Sequence, residues 1–194
     1  MRSAPTLPPP VPDRTAHPFR TYYMIHEIPA AFRETLRRNE HPAKAAAGYL
    51  NARSFLYFTG CGTAFYSAAV ANQLASFPIW SRCPSTSVSA DELSRRQAQI
   101  DPSCGVVGIS HSGITKTTVD ALRDAKARGV ATVAVTHFEG RPISAEAGVT
   151  LLAGNGPDLS RCHTKCFVGG ALAAAMVGME WRSSRRGLSR LAED

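Results

Sequence analysis

Two short stretches rich in glycine and hydroxyl side chains carry the chemistry most easily read from this chain. One is Ser110-His111-Ser112-Gly113-Ile114-Thr115, and the other is Thr59-Gly60-Cys61-Gly62-Thr63-Ala64. Each closes an apolar run and opens a segment whose apolar residues recur at helical spacing. A helix start leaves about four backbone N–H groups without partners and carries a partial positive charge, so an anion is favoured there. Serine and threonine hydroxyls donate to phosphate oxygens, and Gly62 and Gly113 let the backbone approach a ligand closely. The chemistry is that of a phosphate cup with no metal in it. The same residue types also make ordinary turns and helix caps, so either stretch alone would be weak evidence.

The elements that must position these turns follow from the apolar pattern. Strands are expected at Ser54–Phe58, within Ile79–Val88, at Gly105–Ile109, Val130–Val135 and Val149–Ala153. Helices are expected over Met24–Leu36, with Pro29 able to split it, then Pro42–Leu50, Tyr66–Leu74, a short piece capped by Ser89, Thr115–Arg128, a short piece at Ser144–Ala147, and Thr164–Leu191, weakened near Gly178 and Gly187. Strands that are apolar along their whole length and alternate with helices predict a parallel sheet covered on both faces. In such sheets ligands collect beyond the carboxyl ends of the strands, where both polar turns lie. The Gly60-Cys61-Gly62 turn lacks the third glycine and the later acidic residue of a dinucleotide fingerprint, which disfavours NAD, and no cofactor is expected.

Composition narrows the partners. With 194 residues and 44% hydrophobic residues the chain can build one full core, expected over residues 19–194 behind a proline-rich, disordered arm at 1–18. The net charge of +7 suits anionic ligands, but the arginines are scattered or gathered late and no nucleic-acid motif frames them, so no nucleic-acid partner is expected. No apolar run reaches the roughly 18 residues of a membrane span, and residues 1–5 lack the apolar core of a signal peptide; a cytoplasmic protein without membrane contact is expected. The five cysteines show no disulfide framework. Cys162-His163-x-x-Cys166 has metal-ligand residue types, yet cysteines four apart with no second cluster make a poor zinc site, and no metal is expected.

These two turns, followed by Gly156-Pro157-Asp158-Leu159-Ser160-Arg161-Cys162-His163-Thr164-Lys165-Cys166-Phe167 and preceded by the lead-in from Met24 through Arg37, resemble the SIS (sugar isomerase) domain family over about residues 22–185. Within it they are most similar to the first SIS domain in the isomerase half of glucosamine-6-phosphate synthases. The resemblance implies a flavodoxin-like three-layer α/β/α sandwich with a five-stranded parallel sheet, which binds phosphosugars and pairs through helices into a homodimer. It assigns Ser110, Ser112 and Thr115 to the phosphate, with backbone donors from His111 and Gly113. It assigns Gly62 and Thr63 to the sugar, and puts His163 where those enzymes carry a sugar-contacting serine, ahead of a matching Thr164-Lys165 pair. Ala64, His111 and Ile114 depart from the family's serine, glutamine and glutamate, which leaves the identity of the sugar open. The glutaminase half and the second SIS domain have no counterpart in the sequence, so a complete amidotransferase is not expected.

Aldose–ketose isomerisation needs a base for a carbon-bound proton and a polar group for the enediolate. His111, His163 and Glu92 are the candidates for the base, and Lys165 could offset negative charge. Three functions remain open on these residues: an isomerase or deglycase working as a homodimer, a non-catalytic phosphosugar-binding module, or one component of a two-chain enzyme.

Overall fold

A computed structural model of the chain describes residues 14–76, 84–95 and 100–191, with side chains as far as 184. Its five strands are β1 (Phe55–Gly60), β2 (Ser85–Ser89), β3 (Cys104–Ile109), β4 (Ala131–Thr136) and β5 (Val149–Leu152). All pair in parallel in the order β2-β1-β3-β4-β5. The helices are α1 (Arg20–His26), α2 (Ile28–Leu50), α3 (Thr63–Ser76), α4 (Ala90–Arg95), α5 (Lys116–Ala127), α6 (Pro142–Ala145) and α7 (Thr164–Leu191).

The sheet is central because β3 and β4 have no exposed face. Every residue of β3 and β4 is buried. On one side, Leu56, Phe58, Val107, Ile109, Val133 and Val135 pack with the alanine-rich faces of α2, α3 and α7. On the other, Val106 and Ala134 pack with Val119, Leu122 and Ala125 of α5 and with Leu93 of α4. This is the expected three-layer α/β/α arrangement. The helices sit close because β3 carries two glycines, one per face. A Cβ at 105 would stand 2.6 Å from the Leu50 side chain, and one at 108 only 2.3 Å from Leu122.

Several boundaries differ from the periodicity of the sequence, and each difference has a local cause. α2 runs for 23 residues through Pro42, where the sequence suggested a new helix. The break falls instead at Glu27, two residues before Pro29, so this proline occupies the first turn, where its missing N–H costs nothing. α7 is likewise continuous through Gly178 and Gly187. At 178 the missing side chain is a packing requirement, since a Cβ would lie 2.5 Å from that of Ala75 on α3. Strand β2 begins at Ser85; residues 79–83, which the sequence also offered to it, lie outside the described residues, as does most of the proline-rich arm.

Two buried polar residues of α2 secure the far edge of the sheet. Asn39 donates to the Leu152 carbonyl at 2.8 Å and accepts from the Leu152 N–H at 3.2 Å, so the open edge of β5 is paired with a side chain. Thr35 accepts from the Gly154 N–H at 2.7 Å. At the opposite end of α7, Trp181 is completely buried and its indole N–H donates to the Leu50 carbonyl at the close of α2 (2.9 Å).

Candidate functional site

The order β2-β1-β3-β4-β5 changes direction between β1 and β3, and the crevice at that switch is where parallel sheets receive ligands. Gly60 pairs with Ile109, so the turn after β1 and the turn after β3 leave the sheet side by side. Between them lies a cleft of about 480 Å³ lined by Cys61, Gly62, Thr63, Ala64, His111, Ser112, Thr115 and His163. Gly62 lines it in a left-handed conformation (φ 55°).

The turn Ser110 to Thr115 is braced from within. The Ser110 hydroxyl donates to Thr115 Oγ1 at 3.0 Å and accepts from the Gly113 N–H at 3.1 Å. Its side chain therefore shapes the cup, and Ser110 is buried. Ser112 Oγ accepts from the Ile114 N–H at 3.4 Å and lines the cleft. Neighbouring elements hold the outward carbonyls: His137 N–H donates to the His111 carbonyl (3.2 Å), and Ile143 N–H to that of Gly113 (3.1 Å). Behind the turn stands Arg141, 7% exposed and laid over the Phe138 ring at 5.0 Å. Among the described residues no carboxylate pairs with it, and it does not line the cleft.

Gly113 is fixed by both conformation and space. Its φ is 71°, and a Cβ would lie 2.4 Å from Arg141 Cβ and 2.8 Å from Thr136 Oγ1. Gly113→Ala is expected to destabilise the protein by about 2–3 kcal/mol, from left-handed strain plus overpacking. Urea titration measures it; a loss below about 0.5 kcal/mol would show that the turn moves aside freely.

Three histidines gather at the inner side of the cleft. The His111 ring lies 5.5 Å from that of His163, nearly parallel at 27°, and 5.4 Å from that of His137. Both ring nitrogens of His111 are shut off from solvent without a hydrogen-bond partner. Burial, with help from the two neighbouring imidazoles, pushes its pKa down to about 3. His137 is pushed down to about 4 by burial, against the partial support of carbonyls at Cys166 and Ala153. Its Nε2 lies 3.1 Å from the Cys166 carbonyl. His163 adopts φ 52°, the only left-handed non-glycine among the described residues, and its Nδ1 is 3.4 Å from Cys166 Sγ. A left-handed non-glycine costs about 1 kcal/mol or more, and such strain gathers at ligand sites.

Asp158 ties the loop before α7 to this cluster. It accepts from Ser160 N–H (2.9 Å) and Oγ–H (2.6 Å) with one oxygen, and from the Cys166 N–H (3.2 Å) with the other. Burial raises its pKa, but the hydrogen bonds from Ser160 and Cys166 outweigh that and hold the carboxyl below its ordinary range. The Cys166 thiol is pushed up by its own burial and by Asp158.

The structure thus brings together Gly62, Thr63, His111, Ser112, Thr115 and His163 at one cleft, with Ser110 and Gly113 forming the frame of the turn. Lys165 and Glu92 stand elsewhere. Lys165 is 4% exposed and ion-paired with Glu27, at the junction of α1 and α2. Glu92 is the third residue of α4, its N–H donating to Ser89 Oγ at 3.2 Å, beyond edge strand β2. His137 and Asp158 were not singled out from the sequence. The signal available for His137 was its place directly after β4, at the same carboxyl edge as the other turns.

Comparison with known proteins bears on the family and the fold. The family model of the SIS domain matches residues 49–175. Over 165 residues the chain is 30% identical to the glutamine–fructose-6-phosphate aminotransferase of Corynebacterium glutamicum, an alignment that takes in 80% of this chain and 26% of that enzyme. The chain therefore spans about a quarter of the length of that relative. In fold it is similar to the C-terminal domain of glucosamine-fructose-6-phosphate aminotransferase from Francisella tularensis, with a TM-score of 0.76 at 18% identity over 94% of this chain and 54% of that one. It is also similar to the Vibrio vulnificus NanR protein complexed with ManNAc-6P, with a TM-score of 0.68 at 14% identity over 91% of this chain and 66% of that one.

Proposed function

The chain belongs to the SIS domain family, and from that footing we propose that it binds a phosphorylated sugar, a hexose or amino-sugar phosphate, in the cleft between the ends of β1 and β3. The observation that carries this reading is the convergence of two hydroxyl-bearing turns on one cleft, with Thr63 on one side and Ser112 and Thr115 on the other. Ser112 and Thr115, at the start of α5, are assigned to the phosphate, where the helix dipole adds to their hydroxyls. Gly62, Thr63 and His163 are assigned to the sugar. Arg141 behind the turn and the net charge of +7 favour an anion. The relatives support the same class: one is named for fructose-6-phosphate and another was solved with ManNAc-6P.

A second reading makes the chain an aldose–ketose isomerase acting as a homodimer. His163 favours it, as a strained imidazole beside the cleft. His111 does not, because a group with a pKa near 3 is a poor proton acceptor at neutral pH. The dimer is supported by a row of exposed apolar side chains on α3, Tyr66, Val70 and Leu74, spaced one helical turn apart. Without catalysis the same site would serve a regulatory module or one component of a two-chain isomerase or deglycase.

Thermal unfolding with fructose-6-phosphate, glucose-6-phosphate, glucosamine-6-phosphate and a heptose phosphate, each beside its unphosphorylated sugar, tests the binding reading. A ligand at about 100 times its Kd adds about 2.7 kcal/mol to the folded state. The melting temperature is expected to rise with at least one phosphorylated sugar and with none of the free sugars. Ser112→Ala is expected to weaken that ligand about 10- to 100-fold, the worth of one charge-assisted hydrogen bond. Equal shifts for phosphorylated and free sugars would remove the phosphate cup, and no shift at all would remove the reading. Exchange of the C1 or C2 hydrogen into deuterium oxide, followed by NMR, separates the isomerase from the module; on the isomerase reading it is expected to stop in His163→Gln even at phosphosugar concentrations that saturate the variant.

A further inference from the structure

Three donor side chains that the phosphosugar reading leaves without a task meet at the inner wall of the cleft. The candidate ligand atoms of His111, His137 and Cys166 all lie within 4.8 Å of one another. They come from three separate elements: the turn after β3, the end of β4 and the first turn of α7. We propose that His111, His137 and Cys166 form a binding site for a borderline-soft divalent transition-metal ion of the zinc type.

Ligand chemistry, spacing and unpaired atoms all bear on this. Two imidazoles and a thiolate are donors that select zinc-like ions over magnesium or calcium. Tetrahedral ligands about 2.0–2.3 Å from a metal stand about 3.5 Å apart, so closing the present triangle asks for side-chain shifts of the order of 1 Å. The cluster also carries polar atoms that nothing else satisfies: both ring nitrogens of His111 are buried without a hydrogen-bond partner. A buried unpaired nitrogen is costly, and the exceptions in a native structure often mark an unseen ion or ligand.

The surroundings carry charge of both signs: the Lys165 ammonium acts on His137 but is itself ion-paired with Glu27. His137 Nε2 lies 3.1 Å from the Cys166 carbonyl; donating there fixes the tautomer that leaves the Nδ1 lone pair for a metal, a common outer-shell arrangement. Asp158, bonded to the Cys166 N–H at 3.2 Å, supplies a second negative charge beside the thiolate, so together they balance a dication. His163, whose Nδ1 is 3.4 Å from the Cys166 sulfur, is the nearest fourth donor. Cys162, which the sequence spacing would have paired with Cys166, is exposed and takes no part.

The test is a cobalt(II) titration of the full chain, read by the thiolate-to-cobalt charge-transfer band, with zinc content after dialysis measured by mass spectrometry. One ion per chain is expected, with the band present in the unmodified protein and in Cys162→Ser, lost in Cys166→Ser, and needing at least about tenfold more cobalt in His137→Gln. A band that survives Cys166→Ser, or that disappears with Cys162→Ser or Cys61→Ser, would overturn the proposal, and so would no band at all. Should Cys166→Ser fail to fold, X-ray absorption at the zinc edge of the unmodified chain decides alone. One sulfur near 2.3 Å with two or three nitrogens supports the site. No sulfur, or two, overturns it.

Discussion

Lowering the pH from about 7.5 to about 5 in the presence of a chelator is expected to remove on the order of 3–4 kcal/mol of folding stability, most of it traceable to two histidines. His111 and His137 are held neutral by burial, with pKa values near 3 and 4. The unfolded chain takes up protons on both as the pH falls through the ordinary imidazole value near 6.5, whereas the folded chain does not. Their contribution is therefore complete above about pH 6.5 and is lost progressively as the pH falls towards 4 and then 3. Carboxylates begin to matter only below this window, because Asp158 is held lower than usual. Urea titrations at a series of pH values measure the slope, and the double variant His111→Gln/His137→Gln is expected to flatten it. Stability that stays level between about pH 7.5 and 5 would mean that the rings protonate in place, by swinging into the cleft.

The largest effect of a single substitution is expected at Trp181. Among the described residues it is the largest side chain buried completely, and its indole N–H shares the last carbonyl of α2 with the Arg53 N–H. Trp181→Ala leaves a cavity between α7 and α2 and removes one of the two hydrogen bonds to the Leu50 carbonyl, which keeps the Arg53 N–H at 2.9 Å, so the expected cost of about 3–5 kcal/mol comes from the cavity. Trp181→Phe keeps most of the packing and loses the hydrogen bond, so its cost should fall at about 1–2 kcal/mol. Denaturant unfolding reads both, with an unchanged m value showing that the loss is one of stability. A cost below about 1 kcal/mol for alanine would mean that α7 collapses onto the site and that this contact does little to hold the two helices together. Phosphosugar affinity per folded molecule should be unaffected, because the cleft lies at the other end of α7.

The parts of the site legible in the sequence are those where a local pattern and its function coincide. The turns at 60–63 and 110–115 announce themselves because a strand end, glycines and hydroxyls lie consecutively, and the parallel sheet places both at one edge. Lys165 shows where that logic stops. Its position beside Thr164 suggested charge for the cleft, but its side chain turns to Glu27, a partner 138 residues away that no local pattern specifies. His137 went unnoticed for the opposite reason, since a single histidine after a strand has no motif and gains meaning only from His111 and Cys166 reaching it in space. In the fold, strands β3 and β4 are readable because full burial leaves them without a charged residue and rich in valine, alanine and glycine. The course of α2 was not, since packing of Ala43, Ala46, Ala47 and Leu50 in the core overrides the penalty of Pro42.

The pairing of Gly60 with Ile109 has a kinetic meaning as well as a geometric one. The two halves of the cleft are separated by about fifty residues of chain, and bringing them together costs roughly 3.5 kcal/mol of loop entropy before any contact repays it. A nascent chain that has emerged only as far as α4 holds one turn and no cleft. On the proposed function, phosphosugar therefore cannot guide the early stages of folding. It can act only afterwards, by slowing the separation of β1 from β3, so its protection should appear in the rate of unfolding and leave the rate of folding unchanged.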